Sequence, residues 1–195
     1  MGLKPMNSFT RVMTNRWLAL LLLAGLATSQ LLARERLVPF EKDGQWGYKD
    51  SRGRVVIEPR FVVAQEFLPG GIAAVADEKE WSYIDAKGNV VIKPFLFDNG
   101  PDYFREGLAR FKSEDKFGFF DKTGKKVIPA QFDFAAPFSE GLAAVSNSGK
   151  WGFIDRKGRI VIPLRFDEVS DFKRGRAPVT LDGRPRSIDK KGQVQ

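Results

Sequence analysis

Apolar positions along this chain fall into two regimes. One stretch, Trp17 to Leu26, is unbroken, while from residue 37 onward apolar residues come in short runs divided by Gly, Pro, Asp and Asn. Short alternating runs rich in Val, Ile, Phe, Tyr and Trp predict β-strands, and the punctuation between them predicts tight turns. The expectation is an all-β domain over residues 37–195, preceded by an N-terminal hydrophobic helix.

The short runs are copies of one another. Trp46-Gly47-Tyr48-Lys49-Asp50 recurs as Trp81-Ser82-Tyr83-Ile84-Asp85, Phe117-Gly118-Phe119-Phe120-Asp121 and Trp151-Gly152-Phe153-Ile154-Asp155, with a worn fifth copy ending Ser187-Ile188-Asp189. Each Asp is followed three residues later by Gly53, Gly88, Gly124, Gly158 or Gly192. A Val/Ile run comes next, closed in four copies by Pro59, Pro94, Pro129 or Pro163. A Phe pair follows, Phe61/Phe67, Phe97/Phe104, Phe132/Phe138 or Phe166/Phe172.

Each feature has a local cause. Asp-x-x-Gly between two strand-like runs is a hairpin turn: the Asp carboxylate accepts backbone N–H bonds from the residues that follow, and Gly takes a positive φ. Pro163 cannot donate a ladder hydrogen bond, so it ends its strand or sits on an edge. The fourth copy reads as a three-stranded meander, 142–145, 151–155 and 159–163, with Phe166 and Phe172 as plugs in the connection to the next unit. Trp46, Trp81, Phe117 and Trp151 are expected to fill the space between units, since one such meander is marginal alone. The units are 37–69, 70–106, 107–140, 141–174 and 175–195. They form tandem three-stranded antiparallel meanders in an open twisted array or a small propeller-like ring; three strands make thin blades, which favours the open array.

The run from Lys150 to Pro163, with Phe166-Asp167 after it and Phe138-Ser139-Glu140-Gly141-Leu142-Ala143 before it, closely resembles the WG-repeat (KWG-repeat) family. The resemblance covers residues 37–195 and departs at Ser82, at Phe117 and in the fifth copy. It implies a bacterial, exported β-repeat protein with a binding or scaffolding role, and it supplies no catalytic residue.

Ahead of the repeats, residues 1–16 are polar and basic, 17–26 apolar, and 27–29 small or polar. That is the layout of a cleavable export signal over 1–29, with 30–36 as a linker. An uncleaved inner-membrane anchor over 17–33 is the rival, disfavoured because Thr28, Ser29 and Gln30 interrupt it. The expected location is periplasmic or secreted, with membrane contact only through 17–33 if uncleaved.

The chain has no Cys and no His. This excludes thiol nucleophiles, zinc fingers, disulfide frameworks and a Ser-His-Asp triad, and leaves only oxygen ligands for a metal. No cofactor motif is present. The formal net charge is +8, of which Lys4, Arg11 and Arg16 lie in the leader.

Three groups invite a chemical reading. The aspartates 50, 85, 121, 155 and 189 suggest a carboxylate array, but the turn explains their pairing with Gly. Glu106 and Glu140, each before Gly, imitate the paired carboxylates of a glycosidase, yet they repeat where catalytic residues should be singular. Periodic aromatics read as core, while Phe95, Phe111 and Phe134 lie off the repeat and are candidates for surface contacts. The clearest charge asymmetry is C-terminal: Lys173, Arg174, Arg176, Arg184, Arg186, Lys190 and Lys191, which fit either a solvated cap or contact with an anionic partner. No nucleic-acid-binding motif is present.

The function expected is an exported, non-enzymatic binding or scaffolding module for a protein or envelope polymer. One alternative is a carbohydrate- or cell-wall-active hydrolase with an unrecognised carboxylate site. Another is an anionic-surface binder acting through the C-terminal basic cluster.

Overall fold

A computed structural model describes residues 36–194. The candidate signal or anchor, the hydrophobic helix and nearly all of the linker lie outside the described residues.

The described chain is all β, in five principal antiparallel sheets laid down in sequence order. The first holds β1 (Val38–Lys42), β2 (Gln45–Lys49) and β3 (Val55–Phe61). The second holds β4 (Val63–Ala64), β5 (Ala73–Ala76), β6 (Trp81–Ile84) and β7 (Val90–Ile92). A separate hairpin of β8 (Leu96–Phe97) and β9 (Gly100–Pro101) follows. The third sheet is β10 (Leu108–Ser113), β11 (Lys116–Asp121) and β12 (Lys126–Phe132). The fourth is β13 (Phe134–Ala135), β14 (Leu142–Asn147), β15 (Lys150–Asp155) and β16 (Ile160–Phe166). The fifth is β17 (Glu168–Val169), β18 (Arg176–Leu181) and β19 (Arg184–Asp189). The connection between units is thus not plain loop: in β4, β13 and β17 it adds a two-residue strand to the next sheet.

Pro94 lies just past the end of its strand, while Pro59, Pro129 and Pro163 lie within edge strands. In β3, three residues, Glu58, Pro59 and Arg60, face the single Gly47, because Trp46 pairs with Phe61 and Tyr48 with Ile57. The same bulge places Pro129 opposite Gly118 and Pro163 opposite Gly152. A bulge on an edge strand asks nothing of the missing proline N–H. It also explains the small residue after each aromatic. A Cβ on Gly118 would lie 2.6 Å from the Ile128 carbonyl oxygen and 2.7 Å from the Ala130 nitrogen, and Gly47 and Gly152 meet the same obstruction.

Strand alternation gives every sheet two unlike faces. One bears the large residues: in the fourth sheet Phe153, Ile162 and Phe166, which pack with the Phe172 plug against Ala177, Val179 and Ile188 of the fifth sheet. The other bears small and aliphatic residues, Ala143, Val145 and Ile154, which pack against Phe117, Phe119, Ile128, Phe132 and Phe138 of the preceding unit. The two earlier junctions repeat the scheme. Four cores therefore join five sheets in order, and among the described residues no core joins the fifth sheet to the first: the array is open. The plugs Phe67, Phe104, Phe138 and Phe172 lie edge-on to Tyr48, Tyr83, Phe119 and Phe153, with ring centroids 4.9, 5.9, 4.9 and 4.8 Å apart. These second aromatics, not the three tryptophans, fill the cores; Trp46, Trp81 and Trp151 are only half-buried.

Both ends depart from the scheme in the polar direction. Lys49 stands on the outer face of the first sheet where Ile154 stands in the fourth, its ammonium 5.7 Å from the Phe40 ring. On the outer face of the fifth sheet, Ser187 and Pro185 take the places of Phe153 and Trp151.

Candidate binding surface

The recurring carboxylates are engaged by backbone. Asp50 Oδ1 accepts from the Arg52 and Arg54 N–H groups at 2.9 Å each, and Asp155 Oδ1 from Lys157 and Arg159 at 2.9 and 3.0 Å. Asp85, Asp121 and Asp189 repeat the pattern. Burial pushes the carboxyls of Asp50, Asp85, Asp121 and Asp155 up, but these hydrogen bonds and the neighbouring polar side chains outweigh it and hold them below the ordinary value. The turn glycines Gly53, Gly88, Gly124, Gly158 and Gly192 all have positive φ. Gly158 and Gly192 also lie against Ile128 and Ile162 of the preceding sheet.

Glu106 and Glu140 do not face each other as a catalytic pair. Each sits in a two-residue turn with positive φ at both positions, and each reaches forward to the matching turn of the next unit. Glu106 accepts from Gly141 N–H at 3.0–3.1 Å, and Glu140 from Arg174 and Gly175 N–H at 2.5 and 2.9 Å. Asp133 and Asp167 likewise accept from Ser148 and Gly183 N–H and pair with Lys116 and Lys150. These side chains tie one sheet to the next.

The seven basic residues Lys173, Arg174, Arg176, Arg184, Arg186, Lys190 and Lys191 are all exposed at the fifth sheet. Lys190 is paired with Glu140 at 3.2 Å. Lys173 and Arg176 line an open hollow with Ser170, Asp171 and Ser187.

Within the array the repeat breaks after the second sheet. Ser82 occupies the position of the bulge-facing glycine, β7 stops at Ile92, and no phenylalanine pairs with Trp81. The chain instead makes the β8–β9 hairpin, closed by Asp98 and Asn99 with positive φ. Its base is fixed by Phe95 N–H to the Arg110 carbonyl at 3.0 Å. Phe97, expected to be the first of a repeat pair, is carried out to solvent, 47% exposed, beside Tyr103 at 59%, their rings 6.5 Å apart. A hollow of about 420 Å³ lies on one side, lined by Phe97, Tyr103, Arg105, Phe134 and Asp171 among others. Another of about 300 Å³ lies on the other, with Trp81, Tyr83, Asp98 and the same Phe97 and Tyr103.

Beneath the larger hollow is a buried ion pair. Arg110 donates from Nε to Asp102 Oδ2 at 2.8 Å, from Nη2 to Oδ1 at 2.9 Å and from Nη1 to the Ala135 carbonyl at 2.9 Å, and its guanidinium lies 4.8 Å from the Phe95 ring centroid. Among the described residues, no group of three or more acidic side chains is placed to hold a metal ion.

A model of the "WG containing repeat" matches four tandem copies, residues 46–79, 81–117, 117–151 and 151–184. The chain belongs to the WG containing repeat family. No curated protein matches it in sequence. Two solved structures overlap it weakly: "KlHsv2 with loop 6CD replaced by a Gly-Ser linker", 12% identical with a TM-score of 0.40, and "Crystal structure of the eukaryotic initiation factor", 14% identical with a TM-score of 0.39. Each is covered over 82% of this chain, which spans 61% and 52% of their lengths.

Against the WG-repeat frame, two of the three off-repeat phenylalanines are not surface residues. Phe111 is 2% exposed, in the core between the second and third sheets, and Phe95 is half-buried under Arg110. Phe134 is at the surface, its ring 5.1 Å from Phe117 and 5.5 Å from Trp151. The ion pair carries a sequence signal. Arg110 stands in an apolar strand at the position of Ala74 and Ala144, and the connection before it is two residues longer than in the fourth unit.

Proposed function

We propose that this WG-repeat domain is exported and acts as a non-enzymatic binding or scaffolding module for a protein or envelope polymer. What carries the reading is the contrast within its polar residues: the recurring carboxylates already accept backbone N–H groups, while the exposed Phe97–Tyr103 ridge answers no need of the repeat. A carboxylate holding a turn is a poor general acid or base, which weighs against the hydrolase alternative. An exposed aromatic ridge between two hollows is the kind of surface that marks recognition. Export rests on the tripartite layout of residues 1–29.

The test is co-sedimentation of the mature protein with envelope fractions, together with a panel of polysaccharide and cell-wall hydrolysis assays. The reading expects specific retention and no turnover; retention nowhere, or cleavage of any substrate, removes it. N-terminal sequencing of the exported chain should begin at Gln30, and a mature chain still starting at Met1 would mean an inner-membrane anchor. A second reading has its own observation, the seven exposed basic residues of the fifth sheet. It predicts binding to anionic vesicles that falls steeply with salt. Salt-insensitive binding counts against it.

A further inference from the structure

We infer that the Phe97–Tyr103 ridge and the two hollows beside it bind a short run of a neutral polysaccharide. The inference rests on the reading of the domain as a non-enzymatic binder and names the ligand class and the place.

The shape suits a linear ligand. Phe97 and Tyr103 line both hollows, so a chain crossing the ridge touches aromatic surface throughout, with Phe134 at one end and Trp81 at the other. Both hollows are near the lower end of the range for small-molecule sites, about 300–1,000 Å³. Flat aromatic faces match the C–H faces of sugar rings.

The charges are balanced at the larger hollow, and Asp98 is the one charged side chain lining the smaller. Asp102 neutralises Arg110 beneath the larger hollow, and Arg105 and Asp171 on its rim are of opposite sign. Such a surface has no field to gather a polyanion or a polycation. An acidic polymer would meet its cations on the fifth sheet instead.

The hydrogen-bonding inventory then separates a sugar from a proline-rich peptide, the other occupant that aromatic grooves take. A guanidinium has five N–H donors. Three of Arg110's are engaged by Asp102 and Ala135, which leaves two with no partner among the described residues. The Tyr103 hydroxyl and, in the smaller hollow, the Tyr83 hydroxyl add donors. Burial and the nearby Asp102 charge push Tyr83 up to about 12, so it keeps its proton at neutral pH. Asp171 and Asp98, one at each hollow, only accept. Proline residues offer carbonyls but no N–H, and would leave these carboxylates unanswered. A chain of hydroxyl groups both gives and takes at every ring.

The test is calorimetric titration of the full chain with cellohexaose, maltohexaose and chitohexaose, and with a decaproline peptide. Wild type is compared with Phe97→Ala/Tyr103→Ala, with Tyr103→Phe, and with Arg184→Ala/Arg186→Ala on the fifth sheet. Both ridge residues are exposed, so thermal melts should stay near wild type; if the double variant melts early, Phe97→Ala and Tyr103→Phe carry the comparison singly. At least one hexasaccharide should bind, about tenfold or more weaker in the double variant, as expected for lost aromatic contact. Tyr103→Phe should lose less, the arginine variant nothing, and added salt should change little. No saccharide binding at millimolar concentration, binding that survives the double variant, or capture of decaproline instead overturns the inference. If the double variant still sediments with envelope material as wild type does, the binding-module reading stands and only the glycan ridge fails. If a bound saccharide is cleaved, the ridge stands and the non-enzymatic reading fails.

Discussion

The fourth unit and the second carry different residues at the small position after the tryptophan, and they leave their sheets differently. In the fourth, Gly152 lets β16 swing over the sheet through Pro163 to Phe166, which closes the core beside Trp151. In the second, Ser82 fills that space, β7 ends at Ile92, and the chain leaves the sheet as a hairpin that carries Phe97 to the surface. The Asp102–Arg110 pair anchors the departing segment. The second unit, with Ser82 in place of the glycine, holds the exposed aromatic ridge.

The comparison can be broken most forcefully at the two cores. Phe153→Ala, in a side chain 1% exposed, should cost about 3–5 kcal/mol in denaturant unfolding. Asp102→Ala leaves the buried Arg110 guanidinium without its carboxylate and should cost about 3–5 kcal/mol as well. A near-neutral result there would mean that the pair does not hold the departing hairpin. The glycine position sharpens the contrast: Gly152→Ala should cost about 1–3 kcal/mol by forcing the bulged strand away. Ser82→Gly, where no strand lies overhead, should change stability by less than about 1 kcal/mol. Equal costs for the two would dissolve the distinction between the units.

The smallest effect is on pH dependence. The folded-state values of Asp50, Asp85, Asp121 and Asp155 lie below those of the unfolded chain. Their contribution is therefore complete above about pH 4, the ordinary carboxylate range, and is lost as pH falls through the depressed folded values. The melting temperature should fall steadily below pH 4, and Asp155→Asn should flatten that fall. A melting temperature that rises on acidification would reverse the sign assigned to these turns.

Much of the fold was legible because its causes are local. Asp-x-x-Gly specifies a turn within five residues, and short alternating runs specify strands, so the main strands and the turns between them could be read before any coordinates. What escaped depends on contacts between units. Glu106 and Glu140 read as repeating, non-catalytic residues, but their bonds to Gly141 and Gly175, which cross to the next sheet, were not legible. Pro163 read as a strand end or an edge residue; it is on an edge strand, but its bulge was not legible because a bulge is defined by the partner strand. Phe97 read as a core residue by its spacing; its displacement goes with the missing bulge after Ser82 and with a connection two residues longer than in the fourth unit. Phe111 lies off the aromatic spacing of the repeat, yet it holds the core position of Val145.

The central physical claim is that each sheet is completed by its neighbours, since Phe153 and Ile154 of one strand are buried in different cores. Circular dichroism and thermal unfolding of an isolated fourth sheet, residues 134–166, test it most directly. The account predicts a chain with no cooperative transition, because both faces would be bare. A cooperatively melting β-sheet from that fragment alone would contradict it.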